Sequence, residues 1–371
     1  FNTTNNMKHY FLITAALFFA ACSEKPGYEI TGTVANADLN GKYVYLYDAP
    51  FRGYNVPAMD SAQITEQTFT FKGVADTAKV KTLVLPAEEG KRPEMAEFIL
   101  ENARLSASFG EKSTTVTGSP ENDELTAFNK QMADIYSGSE ALMADLRSED
   151  KEKAEAAGKK YDEMEQKATE LRKQYMKSHL NNLSGALQLS QTYYFLDDNV
   201  LFDITDNAGE VFKSFPGMER IMQIAETKKK VTVGQKFTDF EMADRDGKMH
   251  KLSEYVGNGK VVLVDFWASW CGPCRRAMPE LIEIYNRNKA AGFDVIGISL
   301  DNKKDAWEKG IKDLNLPWAQ LSDLQGWKCA GASLYGVNSI PHTVLVDKEG
   351  TIIAKNLHGQ ELEDKIKEAL K

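Results

Sequence analysis

The chain has 371 residues, of which 42% are hydrophobic and 27% charged, and its formal net charge is -9. At roughly 100 to 200 residues per domain, this length predicts two or three domains, and the composition excludes a wholly disordered or collagen-like chain. The acidic balance argues against nucleic-acid binding, which needs a basic face. The cysteines are too few and too unevenly spaced for a disulfide-stapled scaffold; they are Cys22, Cys271, Cys274 and Cys329.

Residues 1–22 are interpreted as an upstream stretch followed by a lipoprotein signal peptide. Lys8 precedes the apolar run Tyr10 to Phe19, and Ala20 and Ala21 lead into Cys22. About ten apolar residues are too few for a ~30 Å hydrocarbon core, so the pattern favours a secretion signal over a transmembrane helix. Small residues before a cysteine resemble the bacterial lipobox, in which that cysteine is acylated. We therefore expect lipidation at Cys22 and a periplasm-facing membrane anchor; a plain secretory signal is the alternative.

Residues 24–120 are predicted to form a small all-β accessory domain, either a sandwich or a barrel. Short runs of alternating apolar and polar residues are separated by turn sequences such as Asn40-Gly41, which is typical of antiparallel sheet. No cluster of His, Cys or paired carboxylates stands out here, so no chemistry is predicted for this domain. The expected strands are Tyr43 to Tyr47, Thr68 to Lys72, Lys79 to Leu85, Ala96 to Leu100, Arg104 to Phe109 and Thr114 to Thr117.

Residues 121–230 are predicted to be a helical region. Apolar residues recur at intervals of three and four from Ala154 to Tyr175 among dense Glu and Lys, which indicates an amphipathic helix. Its charged face is typical of solvent exposure, and a coiled-coil dimer seam is the alternative. Further helices are expected over Leu183 to Leu196 and Phe212 to Thr227.

Residues 231–371 alternate between strand and helix patterns, which predicts an α/β domain with a mixed sheet. The strands are expected at Lys260 to Trp267, Phe293 to Leu300, Trp318 to Ser322, Thr343 to Asp347 and Thr351 to Lys355. The helices are expected at Cys274 to Ala291, Lys303 to Leu314, Trp327 to Tyr335 and Glu361 to Leu370. The fold class is therefore multidomain, with a β domain, a helical segment and a C-terminal α/β domain.

The pair Cys271 and Cys274 lies where the first strong strand of this domain leads into a helix. A helix N-terminus stabilises a thiolate and lowers the cysteine pKa from ~8.5 toward ~7 or below. Cys271 is therefore the predicted nucleophile, and Cys274 is predicted to resolve the mixed disulfide by attacking Cys271. A zinc half-site is disfavoured because zinc takes four ligands and no second cysteine pair exists. A structural disulfide is disfavoured because so short a loop gains little from closure.

The segment Val264 to Cys274, together with Ser339-Ile340-Pro341, resembles the thioredoxin superfamily, specifically its TlpA/ResA-like thiol-disulfide oxidoreductases. The resemblance runs from Gly234 to the C-terminus and implies a thioredoxin fold. Less specifically, the N-terminal region resembles a β domain of unknown function that precedes such modules in envelope lipoproteins.

By this resemblance Pro341 is a cis-proline that faces the redox loop, and the backbone of Ile340 pairs with a substrate segment. Asp265 matches a buried carboxylate whose raised pKa lets it exchange a proton with Cys274. The alternative for Asp265 is a strand-end carboxylate in solvent. Substrate contacts are expected from Trp270, Gly272, Pro273 and Ile340.

The expected activity is reduction of protein disulfides without a bound cofactor or metal. The Gly272-Pro273 dipeptide favours reduction, since thioredoxin has a strongly reducing potential of ~-270 mV. The resemblance implies client proteins with disulfides, such as apocytochrome c, and electrons from a membrane thiol donor. Two other functions are weighed: a lipoprotein binding module that uses the fold as a scaffold, and a thiol peroxidase. Peroxiredoxins need a threonine three residues before the nucleophile, where this chain has Ala268.

Two residues depart from the expected pattern. His342 stands where the family often has threonine, and we expect an ordinary half-buried histidine, with tuning of the thiolate or substrate binding as the alternatives. Cys329 has no near partner in sequence, and we expect a buried hydrophobe in preference to a third redox thiol.

Overall fold

A computed structural model of the chain describes residues 27–51, 53, 55–87, 92–110 and 113–371. The predicted signal peptide and the Cys22 lipidation site lie outside these residues. Backbone contacts divide the chain into one unit that ends at Ala127 and another that runs from Phe128 to Lys371. The predicted boundary at residue 230 therefore falls within a single unit and stays a prediction. In the described part of the chain, no helix combines the length and apolar character needed to cross a membrane.

The N-terminal unit is a β sandwich. Within the described residues it consists of two four-stranded sheets, ordered β4-β1-β7-β8 and β3-β2-β5-β6, around a core that includes Ile30, Phe71 and Phe98. The strands are β1 (Tyr28–Val34), β2 (Tyr43–Asp48), β3 (Asp60–Gln63), β4 (Thr68–Gly73), β5 (Lys79–Leu85), β6 (Glu94–Leu100), β7 (Arg104–Phe109) and β8 (Thr114–Thr117). The predicted all-β domain is confirmed.

Sequence patterns missed strands β1 and β3. The interior of β1 contains Gly32, which lies against the ring of Phe69, where a Cβ would collide with the aromatic carbons. Glycine weakens a strand signal, yet here it allows the close approach of a neighbouring strand. Strand β3 is short and polar, so it has no apolar alternation to detect.

The middle of the chain is helical, as predicted, but the helix expected over Phe212 to Thr227 is interrupted between Lys213 and Met218, where Gly217 has a positive φ. The helices are α1 (Pro120–Ile135), α2 (Ser139–Leu146), α3 (Lys151–Ser178), α4 (Leu183–Thr192), α5 (Asp198–Asn207), α6 (Glu210–Lys213) and α7 (Met218–Lys230). Asp150 caps α3 by accepting hydrogen bonds from the backbone N–H groups of Glu152 and Lys153. Helix α3 packs against α2, α4 and α5 of the same chain and buries side chains such as Ala168 and Tyr175, in place of the seam that a coiled coil would need.

The C-terminal domain is a thioredoxin-like α/β fold. Its strands are β9 (Glu241–Ala243), β10 (Met249–Lys251), β11 (Val261–Trp267), β12 (Phe293–Ser299), β13 (Ala319–Ser322), β14 (His342–Val346) and β15 (Ile352–Lys355). Its helices are α8 (Gly272–Asn288), α9 (Lys304–Leu314), α10 (Ala330–Leu334) and α11 (Gly359–Leu370). The sheet order is β10-β9-β13-β12-β11-β14-β15, with β11 parallel to β12 and antiparallel to β14.

Strand β11 is buried along its whole length, as expected for a strand flanked on both sides and covered on both faces. Two local predictions were wrong. The expected helix from Trp327 to Tyr335 begins only at Ala330, because Leu324 and Gly326 have positive φ and the chain makes a short 3-10 turn before it. Strands β9 and β10 were not predicted, since three residues are too few to show a period.

Ion pairs of one carboxylate, Asp198, connect the helical segment with the thioredoxin-like domain. Asp198, at the start of α5, accepts hydrogen bonds from Lys228 at 2.8 Å and from Lys355 at 2.9 Å. Burial acts to raise the pKa of Asp198, but the two lysines outweigh it and hold that pKa below its ordinary value. The ion pairs anchor α5 and α7 to β15, the strand next to β14, which follows directly after Pro341.

Candidate active site

The two cysteines of the redox motif lie at the start of α8, directly after the buried strand β11. Cys271 is the N-cap residue, and its sulfur accepts a hydrogen bond from the backbone N–H of Cys274 at 3.1 Å. Cys271 and Cys274 form a disulfide with 5.3 Å between their Cα atoms. Both cysteines are buried, and Cys271 retains 4% of its exposure against 1% for Cys274. The strand-to-helix junction therefore places both sulfurs where the sequence predicted.

The peptide bond before Pro341 is cis, which confirms the expectation for this residue. The carbonyl oxygen of Ile340 lies 3.7 Å from the sulfur of Cys271. The tertiary fold therefore brings a loop that is distant in sequence against the redox pair, and it leaves the partly buried Ile340 backbone beside the outer sulfur.

Asp265 is a buried carboxyl group beneath the cysteines. It is 3% exposed, and its Oδ2 atom has no hydrogen-bond partner among the described residues. Burial in this apolar setting raises the pKa of Asp265 to about 7. The alternative of a solvent-exposed aspartate is wrong, because β11 is an interior strand between β12 and β14 and Asp265 lies against residues of α8.

A small cavity joins Asp265 to the inner cysteine. Its volume is about 30 Å³, and Asp265, Cys274, Pro341 and Thr343 are part of its lining. A space of this size can hold one water molecule, and Asp265 and Thr343 are among the polar groups of a largely apolar lining. The carboxyl group and the Cys274 sulfur therefore share a space in which a proton can pass between them, directly or through one water.

The redox loop is braced by a buried carboxylate that sequence reasoning missed. Asp301 accepts hydrogen bonds from the backbone N–H of Ser269 at 2.9 Å and from its hydroxyl at 2.6 Å. Ser299 also donates its hydroxyl hydrogen to Asp301, at 2.8 Å.

Gly310 of α9 packs so close to Ser269 that an added Cβ would lie 2.8 Å from the serine Cβ. The available signal was the position of Asp301 after β12, since the carboxyl ends of adjacent parallel strands meet at one edge.

The tryptophans near the motif divide into one structural and two exposed residues. Trp267 is fully buried and donates its indole N–H to the side-chain oxygen of Gln320 at 2.9 Å. Trp270 is exposed, as its predicted role in substrate contact requires, and lies beside Trp327, which the sequence analysis did not select. Gly272 and Pro273, also predicted substrate contacts, are exposed at the first turn of α8.

His342 and Cys329 are both buried. Burial, with the nearby Lys355 and Lys228, lowers the pKa of His342 to about 3, so the imidazole is neutral near pH 7. His342 pairs in register with Phe266 and Thr343 with Asp265, which places His342 on the face of the sheet opposite the cavity. Burial raises the pKa of Cys329 to about 11, so this thiol stays protonated. The expectation that His342 is half-buried was wrong, whereas burial of Cys329 is confirmed.

No group of three or more His, Cys, Asp or Glu side chains in the described ranges has the placement of a metal site. The residue three positions before Cys271 is the buried Ala268, which offers no hydroxyl to a peroxide. The geometry thus consists of a disulfide-bonded cysteine pair, a buried carboxyl group and a backbone carbonyl of Ile340 beside the outer sulfur.

Comparisons with known proteins agree with this geometry. The model of the AhpC/TSA family matches residues 233–355. Thiol-disulfide oxidoreductase ResA of Geobacillus thermodenitrificans is 32% identical over 140 residues, which cover 38% of this chain and 77% of that protein. ResA of Bacillus thuringiensis subsp. konkukian is 30% identical over 142 residues and is covered to 79%. The chain belongs to the ResA family of thiol-disulfide oxidoreductases.

Solved structures are also similar to part of this chain. The thioredoxin domain of a thiol-disulfide oxidoreductase from Bacteroides vulgatus is 31% identical, with a TM-score of 0.35, and the match covers 38% of this chain and 99% of that one. A thiol-disulfide oxidoreductase from Bacteroides fragilis is 32% identical, with a TM-score of 0.35 and coverage of 36% and 98%. Residues 28–125 match a domain of unknown function, DUF4369, so this family member joins that β domain to its redox domain.

Proposed function

We propose that this ResA-family protein reduces disulfide bonds of client proteins on the periplasmic side of a membrane. The observation that carries the proposal is the Cys271–Cys274 disulfide at the start of α8, with the buried Asp265 behind it and the Ile340 carbonyl beside it. A reversible dithiol, a group that exchanges protons and a backbone edge for docking are the parts that thiol-disulfide exchange needs.

In the first step, the thiolate of Cys271 attacks one sulfur of the client disulfide. The client S–S bond breaks, a mixed disulfide forms, and the first client sulfur leaves as a thiolate that takes up a proton from solvent. The N-cap position favours the thiolate of Cys271, because the helix dipole and the N–H of Cys274 both stabilise negative charge on that sulfur.

In the second step, Cys274 attacks the sulfur of Cys271. Asp265 takes the Cys274 proton through the small cavity, the internal disulfide forms, and the mixed disulfide breaks to release the second client sulfur as a thiolate, which takes up a proton from solvent. The client gains two electrons and two protons, and the protein ends as the disulfide. A carboxyl pKa of about 7 suits this role, because such a group both accepts and returns a proton near neutral pH.

Reduction is the favoured direction. Gly272-Pro273 is the dipeptide of thioredoxin, whose potential of ~-270 mV is far more reducing than the ~-120 mV of the oxidant DsbA. The periplasm is kept oxidising, so the disulfide must be reduced again after each cycle. A membrane protein that passes electrons between thiols fits that requirement, and apocytochrome c is a client class that fits the family resemblance.

Attachment to the membrane is proposed through acylation of Cys22 after cleavage behind Ala21. The support is the short apolar run that ends in small residues before this cysteine. Mass spectrometry of the membrane fraction should find an N-terminal peptide that begins at Cys22 and carries two or three acyl chains. Recovery of a mature chain with an unmodified Cys22 in the soluble fraction would rule out the anchor.

The activity is tested by reduction of insulin disulfides with dithiothreitol as the electron donor. Wild-type protein should accelerate precipitation of the insulin B chain, and Cys271→Ser should fall to the background of dithiothreitol alone. Cys329→Ala is the matched control: it removes a buried thiol whose pKa is raised to about 11, so it should retain activity. No acceleration by wild type would favour the scaffold function, and dithiothreitol-dependent loss of hydrogen peroxide in place of insulin reduction would favour a peroxidase.

A further inference from the structure

Two exposed indole rings lie side by side next to the redox motif. Trp270 immediately precedes Cys271, and Trp327 comes from the turn that leads into α10. The side chains are 53% and 51% exposed, and the ring centroids are 6.1 Å apart with 53° between the planes. Single exposed apolar residues are common, but a pair of half-exposed tryptophans beside a reactive sulfur is typical of a contact surface.

The turn that carries Trp327 is held in place before any client arrives. Asp323 accepts hydrogen bonds from the backbone N–H of Gln325 at 3.1 Å and from that of Ala330 at 2.7 Å, so it ties together both ends of the turn. Leu324 has a φ of 55°, which a leucine adopts only where its surroundings enforce it. This ordering holds Trp327 toward solvent, and a preorganised side chain loses little entropy on binding.

The surface is continuous with the groups that perform exchange. Trp270 is the residue before Cys271, and the Cys271 sulfur lies 3.7 Å from the carbonyl oxygen of Ile340. Two arginines border this surface. Arg275 lies 3.5 Å from the carbonyl oxygen of Ser269. The guanidinium of Arg276 lies next to Gly272, 3.4 Å from where a Cβ on that glycine would be. The surface is therefore apolar and bordered by groups of both signs, since Asp313 interacts with Arg275 and Asp323 lies in the turn that carries Trp327.

We propose that Trp270 and Trp327 together form a docking surface for an aromatic or large aliphatic side chain of the client, one or two residues from its disulfide cysteine. The inference rests on the proposed reductase function. An extended client segment advances about 3.3 Å per residue. A client side chain one or two residues from the disulfide cysteine can therefore contact the indole pair while the client sulfur meets the Cys271 sulfur.

The test compares three disulfide substrates. Two are peptides of equal length with one internal disulfide, which carry phenylalanine or serine next to the attacked cysteine. The third is hydroxyethyl disulfide, which has no side chain to dock. With dithiothreitol as donor, wild type should show a kcat/KM about thirtyfold higher for the phenylalanine peptide than for the serine peptide, the size of a contact at an interface hot spot.

Trp327→Ala should abolish this preference and leave the rate with hydroxyethyl disulfide unchanged, whereas Trp327→Phe should keep most of the preference. Phe195→Ala is the matched control, because it removes a still more exposed aromatic side chain from the helical segment, where its ring packs on Tyr194. It should leave all three rates as in wild type.

The outcomes separate the two proposals. Failure of wild type to reduce any of the three substrates contradicts the reductase function itself. Reduction of both peptides at equal rates, or a preference that survives in Trp327→Ala, contradicts only the docking surface. A wild-type dimer in sedimentation that Trp327→Ala dissociates would also contradict only the docking surface. In that case a second copy of the chain would cover the indole pair.

Discussion

Cys274→Ser is expected to convert the protein into a trap for its clients. The variant keeps Cys271 at the N-cap of α8, so the first attack on a client disulfide proceeds, but it lacks the sulfur that releases the adduct. Cys274 is 1% exposed, and the only other cysteine in the described residues, Cys329, is fully buried. No other thiol in the described part of the chain can take over resolution without a change of structure, so the mixed disulfide should persist.

The trap is measured on non-reducing gels of envelope extracts. Cys274→Ser should give high-mass bands that dithiothreitol removes, and mass spectrometry of those bands identifies the clients. Cys271→Ser, which lacks the attacking sulfur, should give none of them. If Cys274→Ser traps nothing while wild type still reduces insulin, the resolving role is wrongly assigned, and the combination of Cys274→Ser with Cys329→Ala shows whether Cys329 resolves.

Asp265→Asn should slow the resolving step about hundredfold at pH 7.5, the usual size of a lost general acid-base contribution. Asparagine keeps the shape of the carboxyl group but cannot take a proton from Cys274. In wild type the step should speed up as the pH rises through about 7, where Asp265 ionises. In the variant the step should stay slow through pH 7 and speed up only at a higher pH, where the Cys274 thiol loses its proton without help from a carboxylate.

Rapid-mixing decay of the mixed disulfide with a fluorescent peptide measures this step. Asp294→Asn is the matched control, because it removes a carboxylate of the adjacent strand β12 that pairs with Lys260 near the surface, and it should leave the rate unchanged. Equal pH profiles for wild type and Asp265→Asn would show that Asp265 moves no proton in this step.

The same carboxyl group makes the stability of the domain depend on pH. Its folded pKa of about 7 lies above the ordinary value of 3.8, so the folded state binds the proton more tightly than the unfolded state. The stabilisation that protonated Asp265 gives the folded state is fully present below about pH 4 and is lost as the pH rises to about 7. The free energy of unfolding falls by about 4 kcal/mol over this range. The midpoint temperature of oxidised wild type should therefore fall relative to Asp265→Asn over this range.

Tryptophan fluorescence reports this transition selectively, because all five tryptophans of the chain lie between residues 267 and 327. The relative fall should level off above about pH 8. A difference between wild type and Asp265→Asn that stays constant from pH 4 to pH 8 would show that the carboxyl group titrates normally.

Local patterns sufficed for the architecture and for the reactive pair. The apolar run of β11 and the helical period after Cys274 are short-range signals, and they place Cys271 at a strand-to-helix junction without reference to other parts of the chain. The all-β character of the N-terminal domain followed from alternation and turn residues in the same way, whereas the choice of a sandwich over a barrel did not. Where those signals were absent, as in the glycine-containing β1 and the polar β3, the strands were missed.

The cis-proline and the buried carboxyl group were predicted through family resemblance, because their roles depend on contacts across the fold. Pro341 is far from Cys271 in sequence, and only the antiparallel pairing of β14 with β11 brings the two together. In the sequence Asp265 cannot be distinguished from an ordinary strand-end aspartate. Its position against α8 and beside β14 is known only from the fold. The burial that raises its pKa is a property of the packed domain.

Asp301, the Asp198 ion pairs and Trp327 were found only in the tertiary structure. Each acts through partners far away in the sequence, and a single polar or aromatic residue in a loop has no period that distinguishes it from its neighbours. The sequence alone determined that a dithiol sits at a helix start in a thioredoxin-like domain. The tertiary structure decided what surrounds that dithiol, because burial, hydrogen bonding and charge depend on which segments meet in space.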